Sequence, residues 1–334
     1  MVGGTAYFIN WGIYLTDVAG WNRICGMEDY PRNLMEFEAR FTTEESCRDY
    51  IYQLRWPDGF CCPRCEHQKA WPIGDELFQC AKCGYRTFVI AGTIFQDIRK
   101  PLPLWFRAIW HLTSQKYGTN ALGLNRVLEL GSYKTAWTWL HKLRCAMVRP
   151  GRDRLSGTIR ADEIYIGGEK PGKRGRGAAG KALVVIMVEL KQGQTARIRL
   201  RRVPDASDPS LGEAIKEGVE VGSIVQTDGW GGYSGLSGLG YTHQIIRKDA
   251  VVGKNLLPEV NRVAALLKRW LLGTYQGGIH ISHLDYYLDE YTFRFNRRTS
   301  HSRGKLFYRL VQQAVAIDPV VGRQLHAEPQ VRRP

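Results

Sequence analysis

The chain of 334 residues contains no apolar run approaching the roughly 18 residues that a bilayer-spanning helix needs. Its mildly apolar opening, AYFINWGIYL, has no basic region ahead of it and is broken by Asn10. Neither a membrane span nor a secretory leader is therefore expected. Internal repeats and long low-complexity stretches are also missing, which leaves an ordinary globular chain. Acidic residues are scarce beside basic ones, 32 Asp and Glu against 47 Lys and Arg, for a formal net charge of +15. That balance points to a polyanionic partner, DNA, RNA or an anionic membrane surface, and away from a small neutral ligand. What is present, 44% hydrophobic residues with 11% aromatics, can fill the cores of two or three domains.

Eight cysteines in a small secreted chain would suggest disulfides, but here four of them form two spaced pairs in a long one. Cys62-Pro-Arg-Cys65 and Cys80-Ala-Lys-Cys83 are Cys-x-x-Cys knuckles with 14 residues between them. Two such knuckles can bring four thiolates into a tetrahedron around a structural Zn²⁺, with a hairpin in the intervening residues. Cys61 and His67 lie close enough to compete as ligands, but the spacing favours Cys62. Cys25, Cys47 and Cys145 have no spaced partner and read as small apolar residues. The pattern implies a reducing compartment and a cytoplasmic protein.

A short helix is expected over 41–54, capped by Thr43. Residues 102–148 read as helical, with Trp105, Ile109 and Leu112 on one stripe and a second apolar set at Leu122, Val127 and Leu130. Trp105, Trp110, Trp137 and Trp139 recur at helical spacing and read as core. Gly131 interrupts the pattern, and Ser132 can cap a further helix whose polar side carries Lys134, His141, Lys142 and Arg144. The two helices around Gly131 fit a helix-turn-helix that presents Tyr133, Lys134 and Lys142 to a DNA groove. From residue 157 the texture changes to strands, three in succession, then a helix over LGEAIKEGV and a strand at SIVQTDGW, which together suggest a mixed sheet. Long helices follow at EVNRVAALLKRWLL and HLDYYLDEYTFRF.

Asp162 and Asp228 each sit at the edge of a strand-like apolar run, 66 residues apart. Alternation puts Asp162 on the same side as Ile164 and Ile166, with Glu163 and Tyr165 on the other, so Asp162 and Glu163 cannot serve one site. Asp228 precedes GWGGY, where glycines let backbone approach a ligand. Carboxylates at strand ends can hold hard divalent cations in a chain whose basic residues gather phosphates. On the helix after Pro258, Asn261 and Lys268 are two turns apart on one face, and Glu259 lies elsewhere on its surface. An Asn can offer a carbonyl oxygen to a metal and a Lys can steer a phosphate. The loop GGEKPGKRGRGAAGK, with Arg174 and Arg176, is a basic stretch suited to a DNA backbone.

Taken together, the knuckle pairs followed by AGTIFQDIRKPLPLWFRAIW, ADEIYIGG, TDGWGGY, LLKRWLLGTYQ and HLDYYLDEYTFRFNRR resemble the ISXO2-like family of prokaryotic insertion-sequence transposases, DDE-type enzymes with an N-terminal zinc ribbon. The likeness runs from about Asn33 to about Val315. It implies an α/β fold: an RNase H-like mixed-sheet catalytic core preceded by a small zinc ribbon and a helical, helix-turn-helix DNA-binding region. The corresponding segments are an extension over 1–32, a zinc ribbon over 33–100, a helix-turn-helix over 101–150, a catalytic domain over 155–315 and a tail over 316–334. In such enzymes the first acid lies on the first strand, the second after the fourth, and the third residue on a later helix with a Lys seven residues on; Asp162, Asp228, Asn261 and Lys268 match that order. Asn261 departs from an acidic triad, so metal affinity would rest mainly on the two aspartates.

The resemblance implies two-metal phosphoryl transfer with Mg²⁺ or Mn²⁺ on double-stranded DNA, both the element's terminal inverted repeats and the target. Lys134, Lys142, Arg174, Arg176, Lys268 and Arg269 would contact that DNA. A homodimer or higher assembly would pair the two ends, without any membrane, in the nucleoid region of the cytoplasm. The rival reading is a regulator or inactivated copy that binds element ends without cutting them.

Overall fold

The computed structural model describes residues 28–74, 76–149, 151–167, 181–246 and 256–326. The opening segment to residue 27 and the basic loop with Arg174 and Arg176 lie outside the described residues.

Two short helices, α1 (Leu34–Arg40) and α2 (Glu44–Arg55), begin the described fold. Thr43 caps α2 as expected, its hydroxyl accepting from Ser46 N and its own N–H donating to Ser46 Oγ; such a reciprocal cap stabilises a helix start by about 1 kcal/mol. The ribbon follows as a three-stranded antiparallel sheet, β1 (Ala70–Ile73), β2 (Leu77–Cys80) and β3 (Arg86–Phe88). Its inner face carries Phe78, which packs against Tyr52, Trp56 and Phe60.

Helices α3 (Leu102–Ser114), α4 (Ala121–Leu128) and α5 (Tyr133–Ala146) come next. Trp105 stacks on Trp139 with ring centroids 3.8 Å apart, so both are core residues. The expected apolar set on α4 needs correction: Leu122 and Val127 are 47% and 57% exposed, and α4 buries Ala121 and Leu124 instead. The expected polar side of α5 is also corrected, because His141 and Arg144 are buried. Arg144 is tolerated there because Glu290, itself fully buried, accepts from its Nε at 2.8 Å.

The larger domain is a five-stranded sheet in the order β6-β5-β4-β7-β8, built from β4 (Thr158–Ile166), β5 (Ala182–Lys191), β6 (Gln194–Val203), β7 (Ile224–Thr227) and β8 (Thr242–Ile245). β4, β5 and β6 form an antiparallel meander, while β7 runs parallel to β4 and β8 parallel to β7. This is the mixed RNase H-like sheet. One face packs against α7 (Pro258–Tyr275) and α8 (Leu284–Phe295), with Val260, Val263, Ala264 and Leu267 of α7 set on Val184, Ile186 and Val188. The other face is covered by α6 (Asp208–Gly218) and the 3₁₀ segment Gly231–Leu239, through Leu211, Ile215, Tyr233 and Leu236. The chain then returns: α9 (Arg303–Ala314) packs not on the sheet but among the N-terminal helices, where Phe307 meets Phe37, Phe41 and Phe106. A short α10 (Gly322–His326) follows.

Candidate functional site

Cys62, Cys65, Cys80 and Cys83 come together, one ligand atom from each lying within 4.8 Å of the others. Cys62 and Cys83 Sγ are 3.7 Å apart, Cys65 and Cys80 Sγ 3.6 Å. A tetrahedron of sulfurs with Zn–S bonds of about 2.3 Å has edges of about 3.8 Å, so the four thiols fit zinc. The two knuckles are built alike: Glu66 N donates to Cys62 O and Gly84 N to Cys80 O, and Glu66 and Gly84 both take positive φ. Burial pushes the Cys80 thiol up, but the N–H groups of Cys83 and Lys82 outweigh it and hold it at about 6. The His67 N–H lowers Cys65, yet burial and three neighbouring thiols carry it to about 12. Such a cluster cannot hold four thiolates without a cation. Cys61 Sγ turns instead toward Glu66 O, and neither it nor His67 joins the cluster.

The acids are positioned by the sheet. β4 and β7 run parallel with Thr158 beside Ile224 and Arg160 beside Gln226. Continuing that register by two residues sets Asp162 opposite Asp228, on strands about 4.8 Å apart. Asp162 is half-buried and Asp228 exposed just past the end of β7. One oxygen of each is fixed by backbone, Asp162 Oδ1 accepting from Glu163 N at 2.9 Å and Asp228 Oδ1 from Trp230 N at 3.0 Å. Gly229 allows the turn: its φ is +87°, and a Cβ there would lie 2.7 Å from Ile245.

Glu163 points to the opposite face, where Tyr233 Oη donates to its Oε2 at 3.1 Å. Burial pushes the Tyr233 phenol well above its ordinary range, and the charges of Glu163, Asp162 and Asp228 add to it. Tyr233 is thus a neutral donor beneath an anionic rim.

On α7, Asn261 and Lys268 are exposed on one flank, beside the stripe buried against the sheet. Glu259 emerges on the other flank and pairs with Arg160. Arg160 also donates to Gln226 Oε1 at 3.1 Å, and Gln226 to Gln244 Oε1 at 3.0 Å. A polar ladder from α7 through β4, β7 and β8 therefore lies one step below the aspartate row. Sequence reasoning passed over this ladder, although Arg160 shares a strand face with Asp162 and could have been found by alternation. Nothing local announces its partner Glu259, 99 residues away.

Of the basic residues expected to meet DNA, Lys134 is exposed at the start of α5, and Arg269 is exposed beside Lys268 on α7. Lys142 is half-buried; burial lowers its pKa, against the charges of Asp97 and Cys145. Trp230 is 37% exposed, its Nε1 donating to Ala206 O at 3.0 Å. Among the described residues, no helix is long and apolar enough to cross a membrane.

A four-cysteine ribbon is followed by a mixed five-stranded sheet, the architecture of a zinc-ribbon protein with an RNase H-like core. Comparison with known proteins agrees: residues 42–86 match the transposase zinc-ribbon domain and residues 154–296 the ISXO2-like transposase domain. The chain thus carries a transposase zinc-ribbon domain and an ISXO2-like transposase domain. It is 30% identical over 141 residues to an uncharacterized protein in transposable element ISH50 of Halobacterium salinarum, a match covering 41% of this chain and 45% of that protein. The chain thus matches less than half the length of that relative. Among solved structures, the simian T-cell lymphotropic virus intasome in complex with the PP2A regulatory subunit B56 gamma overlaps 67% of this chain and 76% of that one, at 14% identity and a TM-score of 0.28. That overlap is too slight to carry anything across.

Proposed function

We propose that the protein is a transposase that binds the terminal inverted repeats of an insertion sequence and catalyses metal-dependent DNA strand cleavage and strand transfer. The observation that carries this reading is the parallel pairing of β4 with β7, which, continued two residues past Arg160 and Gln226, would bring Asp162 and Asp228 side by side. Two carboxylates so placed suit Mg²⁺ or Mn²⁺, which when bound would activate the attacking oxygen and stabilise the leaving one. Asp162 and Asp228 hold the cations, Asn261 contributes its amide oxygen, and Lys268, seven residues on along the same flank of α7, holds a phosphate of the DNA. The ribbon and the α4–α5 pair bind the element ends, with Lys134, Lys142, Arg174, Arg176 and Arg269 as further DNA contacts, and two protomers bring both ends together. Such a protein works in the cytoplasm, at the nucleoid.

The test is an assay on DNA flanking the gene with Mg²⁺ or Mn²⁺, following cleaved and joined products separately. Wild type is expected to give both, and Asp162→Ala to bind the DNA yet give neither. Binding without products from wild type would contradict the enzymatic reading.

A further inference from the structure

The outward face of α7 leads from the aspartates to the proposed DNA-reading helices. Glu259 is the one acid of α7, and Arg160 neutralises it. The exposed face is otherwise acid-free and carries Arg262, Lys268 and Arg269, with Leu272 65% exposed further on. At the C-terminal end Gln276 lines a cleft of about 220 Å³ together with Leu122 of α4 and Tyr133 of α5. The joint there is bolted. Asn120 caps α4 through Gly123 N at 2.7 Å and donates to Thr274 O of α7 at 3.1 Å. Tyr117 O accepts from Trp270 Nε1 at 2.8 Å and from Thr274 Oγ1 at 3.1 Å.

We infer that this face of α7 is a DNA track of fixed length, carrying duplex from the cleavage site to Tyr133 and Lys134 at the exposed start of α5. The inference rests on the transposase reading and adds the path and its spacing. Positive charge without exposed acid suits a phosphate backbone, and Leu272 and Tyr133 add apolar contact to sugars and base edges. A helix rises 1.5 Å per residue, so Leu272 lies about 16 Å and Gln276 about 22 Å from Asn261 along the axis. At 3.4 Å per phosphate on one strand, these correspond to about five and about six to seven nucleotides from the cleaved phosphate. α7 thus acts as a ruler that sets how far inside the element the α5 contacts fall.

The experiment places a photoreactive phenylalanine analogue at position 272 or 133 of the full chain and maps crosslinks on duplex DNA flanking the gene, with cleavage scored on the same duplex. Crosslinks are expected about five nucleotides from the cut for position 272, and one to several nucleotides further in for position 133. Leu272→Glu, a change at an exposed position, should weaken binding of that duplex about tenfold while leaving the thermal melt unchanged. Cleavage without a crosslink from position 272, or with undiminished binding by Leu272→Glu, overturns the track and leaves the transposase reading standing. Crosslinks at the stated spacing without cleavage, the cut site being taken as the end of the repeat, support the track and count against catalysis. Neither cleavage nor crosslinks would remove both.

Discussion

Glu259, the second residue of α7, forms an ion pair with Arg160 on β4, in the layer next to Asp162. On the proposed transposase reading, the pair argues against Glu259 as a substitute for an acid at Asn261. Glu259 is occupied by a cation on the flank of α7 away from Asn261 and Lys268. Its role is to seat the helix on the sheet and to cancel the charge of Arg160, which would otherwise compete with metal for the aspartates.

The two α7 residues should therefore separate in mutation. Glu259→Ala is expected to lower stability by about 1–2 kcal/mol, as for a partly buried pair, with Arg160→Glu/Glu259→Arg recovering part of the loss. Asn261→Ala should leave stability unchanged and reduce cleavage about 100-fold or more. Urea unfolding and cleavage rates on the same preparations check this; the reverse pattern would make Glu259 the third site residue.

The zinc site should be structural. Cys62→Ser or a chelator is expected to release one zinc per chain and unfold the ribbon around Phe78, exposing Trp56 and Phe60 to quenchers. Cys61→Ser should retain the metal, because its sulfur lies outside the cluster. Metal analysis with tryptophan fluorescence reads both.

A second buried network ties the two halves of the chain together. Glu290 takes Arg144 from α5 and Arg294 from α8, and receives Tyr275 Oη at 3.1 Å. Burial raises the Glu290 carboxyl, but Arg294 and Arg144 outweigh it and hold it below its ordinary 4.5. A depressed folded pKa gives stability that is present above the unfolded value and lost as pH falls below about 4.5 through the folded one. Glu290→Gln is expected to cost about 3–5 kcal/mol at neutral pH, since Arg144 is left buried without its counter-charge. The variant should also lose part of the acid sensitivity. Denaturant midpoints from pH 6 down to the acid limit test both parts.

How far the sequence could be read follows from how local each signal was. The four cysteines, β4 to β7 and the helix after Pro258 announce themselves through spacing and alternation over many residues. β8 has four residues, three of them polar, on the sheet edge, and α1 has seven; neither is long enough to set a period. α4 was misread because an eight-residue helix takes its buried face from whatever packs on it, here α5, so Leu122 and Val127 remained outside. Arg144 and His141 read as polar surface because the elements that bury them lie far along the chain; Glu290 is 146 residues from Arg144. At the candidate site, Asp162 and Asp228 are proposed from strand edges and Arg160 follows from alternation, whereas Gln226 gains meaning only from strand register and Tyr233 only from the 3₁₀ segment that sets it on Glu163.

The central claim is that Asp162 and Asp228 form one metal-binding unit. It is tested most directly by strand cleavage with Mg²⁺ or Mn²⁺ on flanking DNA, comparing Asp162→Ala, Asp228→Ala and the double variant. Residues that act together lose nearly everything on the first removal. Each single variant should therefore bind DNA as wild type does and fall to background cleavage, with the double no worse. Cleavage persisting in either single variant, or losses that multiply in the double, would contradict a shared site.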